Sequence, residues 1–317
     1  MRNGDGDSAR LDEAARAGWL YYVAGNTQDE IAKKLGVSRQ TAQRLVSLAM
    51  SERLIKVRLD HPIARCMELS SALRQRYDLR YCEVAPSDPA STSSTLGIAQ
   101  IAAAEMERWL RRSDPVVVGM GTGRTMRAVA DQLPPMECPR HRLVALVGNT
   151  KIDGSASFYD ALGRASGAVR APHYPMPLPV VARSAQERDL LISLPSVRNV
   201  LALVEQADAT FVGVGVVSRN SPLLLDGFIT PEENESLRRA GAVGEITGWA
   251  FDARGRLIAS PLSDRIASSP LRQPTKRLMI GVAMGVSRRA PLRGALLGRL
   301  ISGLVTDEKT AEHLLRR

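Results

Sequence analysis

Residues 27–38 leave little freedom in local fold. Thr27 with Glu30 three positions later forms a capping box, in which each side chain satisfies a free backbone N–H at a helix start. Ile31, Ala32 and Leu35 give the short helix an apolar face. Gly36 permits the turn that ends it, Val37 packs back beneath it, and Ser38 caps a further helix. That helix runs from 39 to about 50, with Ala42, Leu45, Val46 and Ala49 inward. Cap, short helix, glycine turn, cap and second helix is the spacing of a helix-turn-helix. A preceding helix over 11–23, with Leu20, Val23 and the neighbouring aromatics inward, ends at Gly25-Asn26.

The outward face of the second motif helix presents Ser38, Arg39, Gln40, Thr41, Gln43 and Arg44. These types suit a DNA groove, because arginine bridges guanine bidentately and glutamine pairs with adenine. Lys33 and Lys34 sit where phosphates would run. Residues 54–59 alternate apolar and basic, which reads as the strand of a wing carrying Lys56 and Arg58. The competing reading is a small helical dimerisation domain with a solvated basic face. Charge bears on that choice: 43 Lys+Arg against 33 Asp+Glu give +10, a field that attracts polyanions.

Residues 1–61 therefore read as a winged helix-turn-helix with its connector, and 62–317 as a larger second domain. Ile63, Met67, Ser70, Leu73 and Tyr77 recur at helical spacing, suiting either a partner subunit or the chain's own core. Beyond them short apolar strands (81–84, 116–118, 143–147, 210–214, 279–282) alternate with helical stretches (96–111, 125–133, 155–168). That alternation predicts an α/β fold, a Rossmann-like doubly wound parallel sheet covered on both faces. Ligands of such sheets bind where strand-end loops converge. The loops here are Gly121, Thr122, Gly123, Arg124 and Thr125; Gly148, Asn149 and Lys151; Glu245 and Thr247; and Gly285 with Arg288. Glycines let backbone amides approach a ligand, the arginines supply cations, and Glu245 accepts from hydroxyls. Each loop taken alone also suits simple helix-on-strand packing.

The three cysteines, Cys66, Cys82 and Cys138, show no zinc-site spacing, so neither a metal nor a cofactor is expected. Residues 1–13 lack a secretory signal and no run is long and apolar enough for a membrane helix, so a cytoplasmic protein is expected.

The chain resembles the SorC/DeoR-type sugar-binding transcriptional regulators over nearly its whole length. The resemblance rests on Trp19-Leu20-Tyr21-Tyr22-Val23-Ala24-Gly25-Asn26-Thr27-Gln28-Asp29-Glu30-Ile31-Ala32, Gly36-Val37-Ser38-Arg39, the loop 121–125, Gly241-Ala242-Val243-Gly244 with Phe251-Asp252 and Gly255, and Leu304-Val305-Thr306-Asp307-Glu308 with Thr310-Ala311. It implies an effector domain related to sugar-phosphate isomerases and CoA transferases, and homodimers or homotetramers on double-stranded operator DNA. It also implies a sugar, polyol or phosphosugar inducer governing a carbohydrate or polyol operon. The family's late Gly-x-x-Lys is Gly285-Val286-Ser287-Arg288 here; arginine keeps the charge but forms no Schiff base. The usual Asp after Gly-Ala-Val-Gly is Glu245, and the usual double glycine of the second loop is Gly148-Asn149.

The leading expectation is thus a regulator and not an enzyme. One alternative is a sugar-phosphate isomerase or deaminase with an accessory DNA-binding domain, for which Asp153 and Glu245 are the candidate bases. His141 and His173 lie in proline-containing loops without an evident partner. The other is an architectural DNA-binding protein whose large domain only oligomerises.

Overall fold

The computed structural model describes residues 4–52, 54–55, 63–87, 95–151, 153–156, 159–273, 275 and 277–316. The chain divides into two compact units, Met1–His61 and Pro62–Arg317.

The smaller unit holds α1 (Gly4–Tyr22), α2 (Gln28–Leu35) and α3 (Arg39–Ser51). Ala14 and Ala17 meet Ile31 and Ala32 of α2 and Ala42, Leu45, Val46 and Ala49 of α3 in one core. This alanine-rich seam draws α1 against α3 so closely that a Cβ on Gly18 would lie 2.8 Å from the Ala49 Cβ. The seam also fixes the rotation of α1. Leu20 packs against the core, but Trp19, Tyr21, Tyr22 and Val23 are exposed, contrary to the inward orientation expected for Val23 and the aromatics. The helix begins at Gly4, earlier than its apolar pattern indicated. Gly36 closes α2 at φ 67°, a left-handed turn that a Cβ would strain. Leu54 and Ile55 form no regular structure, and the remainder of the expected wing, Lys56 and Arg58 included, lies outside the described residues.

The larger unit opens with α4 (Ala64–Tyr77), which buries Cys66, Leu69 and Leu73 in the unit's own core. There follow β1 (Tyr81–Ala85), α5 (Leu96–Leu110), β2 (Val117–Met120), α6 (Arg124–Gln132), β3 (Arg142–Ala145), α7 (Ala161–Val169) and β4 (His173–Tyr174). Next come α8 (Ala185–Ser193), α9 (Pro195–Glu205), β5 (Ala209–Gly213), β6 (Gly215–Val216), α10 (Pro222–Leu225) and α11 (Pro231–Arg239). The chain ends with β7 (Ala242–Ile246), β8 (Trp249–Asp252), β9 (Leu278–Val282), α12 (Arg289–Leu297), β10 (Gly303–Asp307) and α13 (Glu308–Leu315).

Seven strands form one parallel sheet in the order β1-β10-β9-β5-β2-β3-β4. Every residue of β10 and all but the last of β5 are buried. Successive side chains point to opposite faces, so the sheet is covered on both, which is why most of these strands read as apolar runs; β10, Gly303-Leu304-Val305-Thr306-Asp307, ends in two polar residues and is not among the strands expected from sequence. β6, β7 and β8 form a separate antiparallel sheet over a satellite core that includes Val180, Leu223 and Phe228.

One helix starts later than expected. α7 begins at Ala161, not at 155. Asp153 accepts from the Ser155 amide and hydroxyl at 2.9 and 2.7 Å, and Ala156 bridges to Thr150. Asp160 then caps the helix by accepting from the Gly163 amide.

Candidate functional site

From β2 the chain moves outward to β3 and β4; from β5 it moves the other way, to β9 and β10. The loops leaving adjacent β2 and β5 therefore part company, and a crevice opens at the carboxyl ends of these strands, where open α/β sheets bind ligands. A cavity of about 110 Å³ lies there. That is below the several hundred cubic ångströms of drug-sized sites.

Residues 121–125, at the start of α6, form one wall. Thr122 Oγ1 donates to the Tyr159 carbonyl at 2.9 Å, which fixes the loop. Arg124 pairs with Asp226 at 3.0 Å and its guanidinium stands 5.1 Å from the centre of the Tyr159 ring. Val147, Val180, Leu223 and Phe228 give an apolar side.

Opposite them, the β7–β8 hairpin contributes Glu245, Thr247 and Gly248. Glu245 Oε2 accepts from the Gly248 amide at 2.9 Å. Its Oε1 would lie only 1.9 Å from a Cβ on Gly215, so glycine there makes room for the carboxylate. Burial pushes the Glu245 carboxyl above its ordinary range, against the lowering pull of the Gly248 amide and of Arg288. Arg288, half-buried in the turn after β9, is lowered by burial and by Arg124, while Glu245 supports its charge.

Eight sequence-predicted residues thus line one cavity: Gly121, Thr122, Gly123, Arg124, Thr125, Glu245, Thr247 and Arg288. Four do not. Gly148 is small because a Cβ would lie 1.8 Å from the Leu178 carbonyl oxygen, a backbone-packing need. The buried Oδ1 of Asn149 has no hydrogen-bond partner among the described residues. Lys151 reaches towards Gly227. Gly285 turns at φ 98° and donates to Thr310 Oγ1, shaping the turn that delivers Arg288. Asp226, Tyr159 and Phe228 were missed, because they arrive from segments with no strand-end glycine pattern; an Asp226-Gly227 turn pair was the one visible signal.

The candidate catalytic groups disperse. Asp153 is occupied with Ser155 and is not among the lining residues. Both histidines do have partners: His141 Nδ1 accepts from the Val116 amide and His173 Nδ1 bonds the Ser166 hydroxyl. The cysteines are free and buried, with the Cys66 thiol pushed up to about 11 mainly by burial.

In the smaller unit Arg39, Gln40, Thr41, Gln43 and Arg44 are all exposed. So is Ser47, one turn beyond Gln43, which helical spacing could have added. Ser38 serves as the cap, its Oγ accepting from the Thr41 amide at 3.1 Å. Arg39 meets Asp29 at 3.5 Å with both side chains exposed, an attachment worth little.

A family profile described as "Putative sugar-binding domain" matches residues 61–316, and one described as a homeodomain-like domain matches 8–57. The chain is 32% identical over 302 residues to the erythritol catabolism regulatory protein EryD of Brucella abortus, covering 95% of this chain and 96% of that one. This chain is a SorC/DeoR-type sugar-binding transcriptional regulator. The regulator is also 31% identical over 317 residues to the transcriptional regulator LsrR of Klebsiella pneumoniae, covering 97% and 94%. Its fold is similar to that of the full-length sorbitol operon regulator SorC from Klebsiella pneumoniae, with a TM-score of 0.72 and 24% identity over 96% of this chain and 98% of that one. Among the described residues no helix is long and apolar enough to cross a membrane.

Proposed function

We propose that this regulator reads operator DNA with the outer face of α3, and that a small polyhydroxy effector in the crevice between β2 and β5 changes its hold on that operator. Residues 1–61 are the DNA-binding part. Residues 62–317 bind the effector and join subunits into a homodimer or homotetramer, in the cytoplasm where the operator lies, without turnover of the ligand.

The observation that supports this most is the convergence of Arg288, Glu245 and the amide-bearing loop 121–125 in one crevice at the switch point of the sheet. Such a set offers donors, cations and an acceptor, as a ligand rich in hydroxyls requires. The names of EryD and SorC point to erythritol and sorbitol, both polyols. The charged group that acts on Glu245 is Arg288, and Asp226, a second acid of the lining, is paired with Arg124, an arrangement that suits holding a ligand better than shuttling a proton.

Arg288→Ala is expected to leave operator affinity intact and to raise the effector Kd by roughly ten- to a hundredfold, the worth of a charge-assisted hydrogen bond. Fluorescence anisotropy on a duplex selected from random sequence, with and without effector, measures both. An Arg288→Ala protein that still releases DNA at wild-type effector concentrations would place the effector elsewhere.

A further inference from the structure

We propose that the pocket selects an uncharged polyol over the phosphate ester of the same carbon skeleton, and that Asp226 is the residue that sets this preference. The inference rests on the reading of the pocket given above.

Among the described residues, two cations line the cavity, Arg124 and Arg288, and so do two carboxylates, Asp226 and Glu245. Each arginine already has an acidic counterpart. Arg124 donates to Asp226 Oδ1 at 3.0 Å, and Arg288 lies close enough to Glu245 for each to favour the other's charged form. Lys151 approaches Gly227 but is not among the lining residues.

A phosphate monoester carries between one and two negative charges near neutral pH and needs surplus cation. For Arg124 to supply it, the guanidinium must leave Asp226. The Asp226 side chain is only 18% exposed, so its charge would lose its arginine partner in a desolvated wall beside an incoming anion. Both effects oppose binding. Glu245 adds a second acidic side chain to the same cavity.

A polyol meets none of these penalties. Its hydroxyls donate to the oxygens of Asp226 and Glu245 and accept from Arg124, Arg288 and the loop amides, with the Arg124–Asp226 pair left in place. The Tyr159 ring, stacked against Arg124, helps hold that guanidinium where the pair requires it.

The test is calorimetric titration of the full-length protein with three- to six-carbon linear polyols, each matched with its terminal phosphate: glycerol, erythritol, ribitol and sorbitol. The tightest-binding skeleton is expected to prefer the free polyol by at least about tenfold. Asp226→Asn frees Arg124 and is expected to shrink or invert that ratio, with folding checked by thermal melting. Asp226→Ser serves the same purpose if the amide variant is unstable, and the wild-type comparison decides without either. Tighter binding of the ester to wild type, or a ratio unmoved by a folded Asp226 variant, overturns the inference. The pocket reading then survives if Arg288→Ala weakens binding of the preferred ligand by about tenfold or more. Binding of no member of the panel overturns both.

Discussion

Thr247 sits at φ 50°, a left-handed conformation that a β-branched residue adopts only under constraint. With Gly248 at φ 92° it makes the tight turn joining β7 to β8, for which Asn-Gly is the favoured pair. Thr247→Asn is expected to raise stability by about 1 kcal/mol and to weaken effector binding, since Thr247 lines the cavity. Urea unfolding and ligand titration of the same variant separate the two effects; gained stability with unchanged affinity would make the strain irrelevant to the site. Glu245 yields a second expectation. With its pKa raised in the folded protein, it keeps its proton at pH values where the unfolded chain has lost it, so stability declines as pH rises from the ordinary 4.5 towards the folded value. Each unit of elevation is worth about 1.4 kcal/mol. Glu245→Gln escapes that decline: its stability relative to wild type should grow with pH above 4.5, as read by urea unfolding across a pH series, and the gap should stop changing with pH below it. A gap constant across the series would mean that Glu245 ionises normally. Arg288 and Glu245 were legible from strand-end position and chemical type. Asp226 was not, because an aspartate in a turn carries no mark of the arginine it will meet about a hundred residues away.

The elements differed in legibility for physical reasons. Most buried parallel strands announce themselves as apolar runs, though β10 with Thr306 and Asp307 and the two-residue β4 did not; caps such as Thr27 and Ser38 fix helix starts through a local hydrogen bond and were readable. The antiparallel sheet of β6, β7 and β8 is short and glycine-rich, and β6 pairs with the sequence-distant β7, Gly215 against Glu245, so only its loop was noticed. The orientation of α1 was misread because aromatic residues seemed the natural inward group, whereas the close contact at Gly18 demands alanines on that face. Gly18→Ala should therefore lower stability by roughly 1–3 kcal/mol, the usual result of overpacking, and bring the smaller unit's thermal transition down. On α3, Arg44→Ala should weaken specific binding by about 1–3 kcal/mol for a lost base contact, while leaving affinity for an unrelated duplex nearly unchanged. Equal losses on both duplexes would make Arg44 a phosphate contact.

For the whole molecule, the proposal makes sheet order determine where a small molecule is held and the helix-turn-helix determine where DNA is read. An effector that binds only the folded larger unit should raise that unit's melting point, by a free energy of about 2.7 kcal/mol at a hundred times its Kd. The transition of the smaller unit, followed separately, reports whether that stabilisation spreads. The cavity draws its lining from positions as far apart as 121 and 288, with contributions near 147, 159, 180, 213, 226 and 245. Transplanting any single loop from a relative would consequently replace one side of the cup and leave the others shaped for the old guest. On the proposal above, a change of ligand in this scaffold calls for scattered single substitutions, not the exchange of one loop.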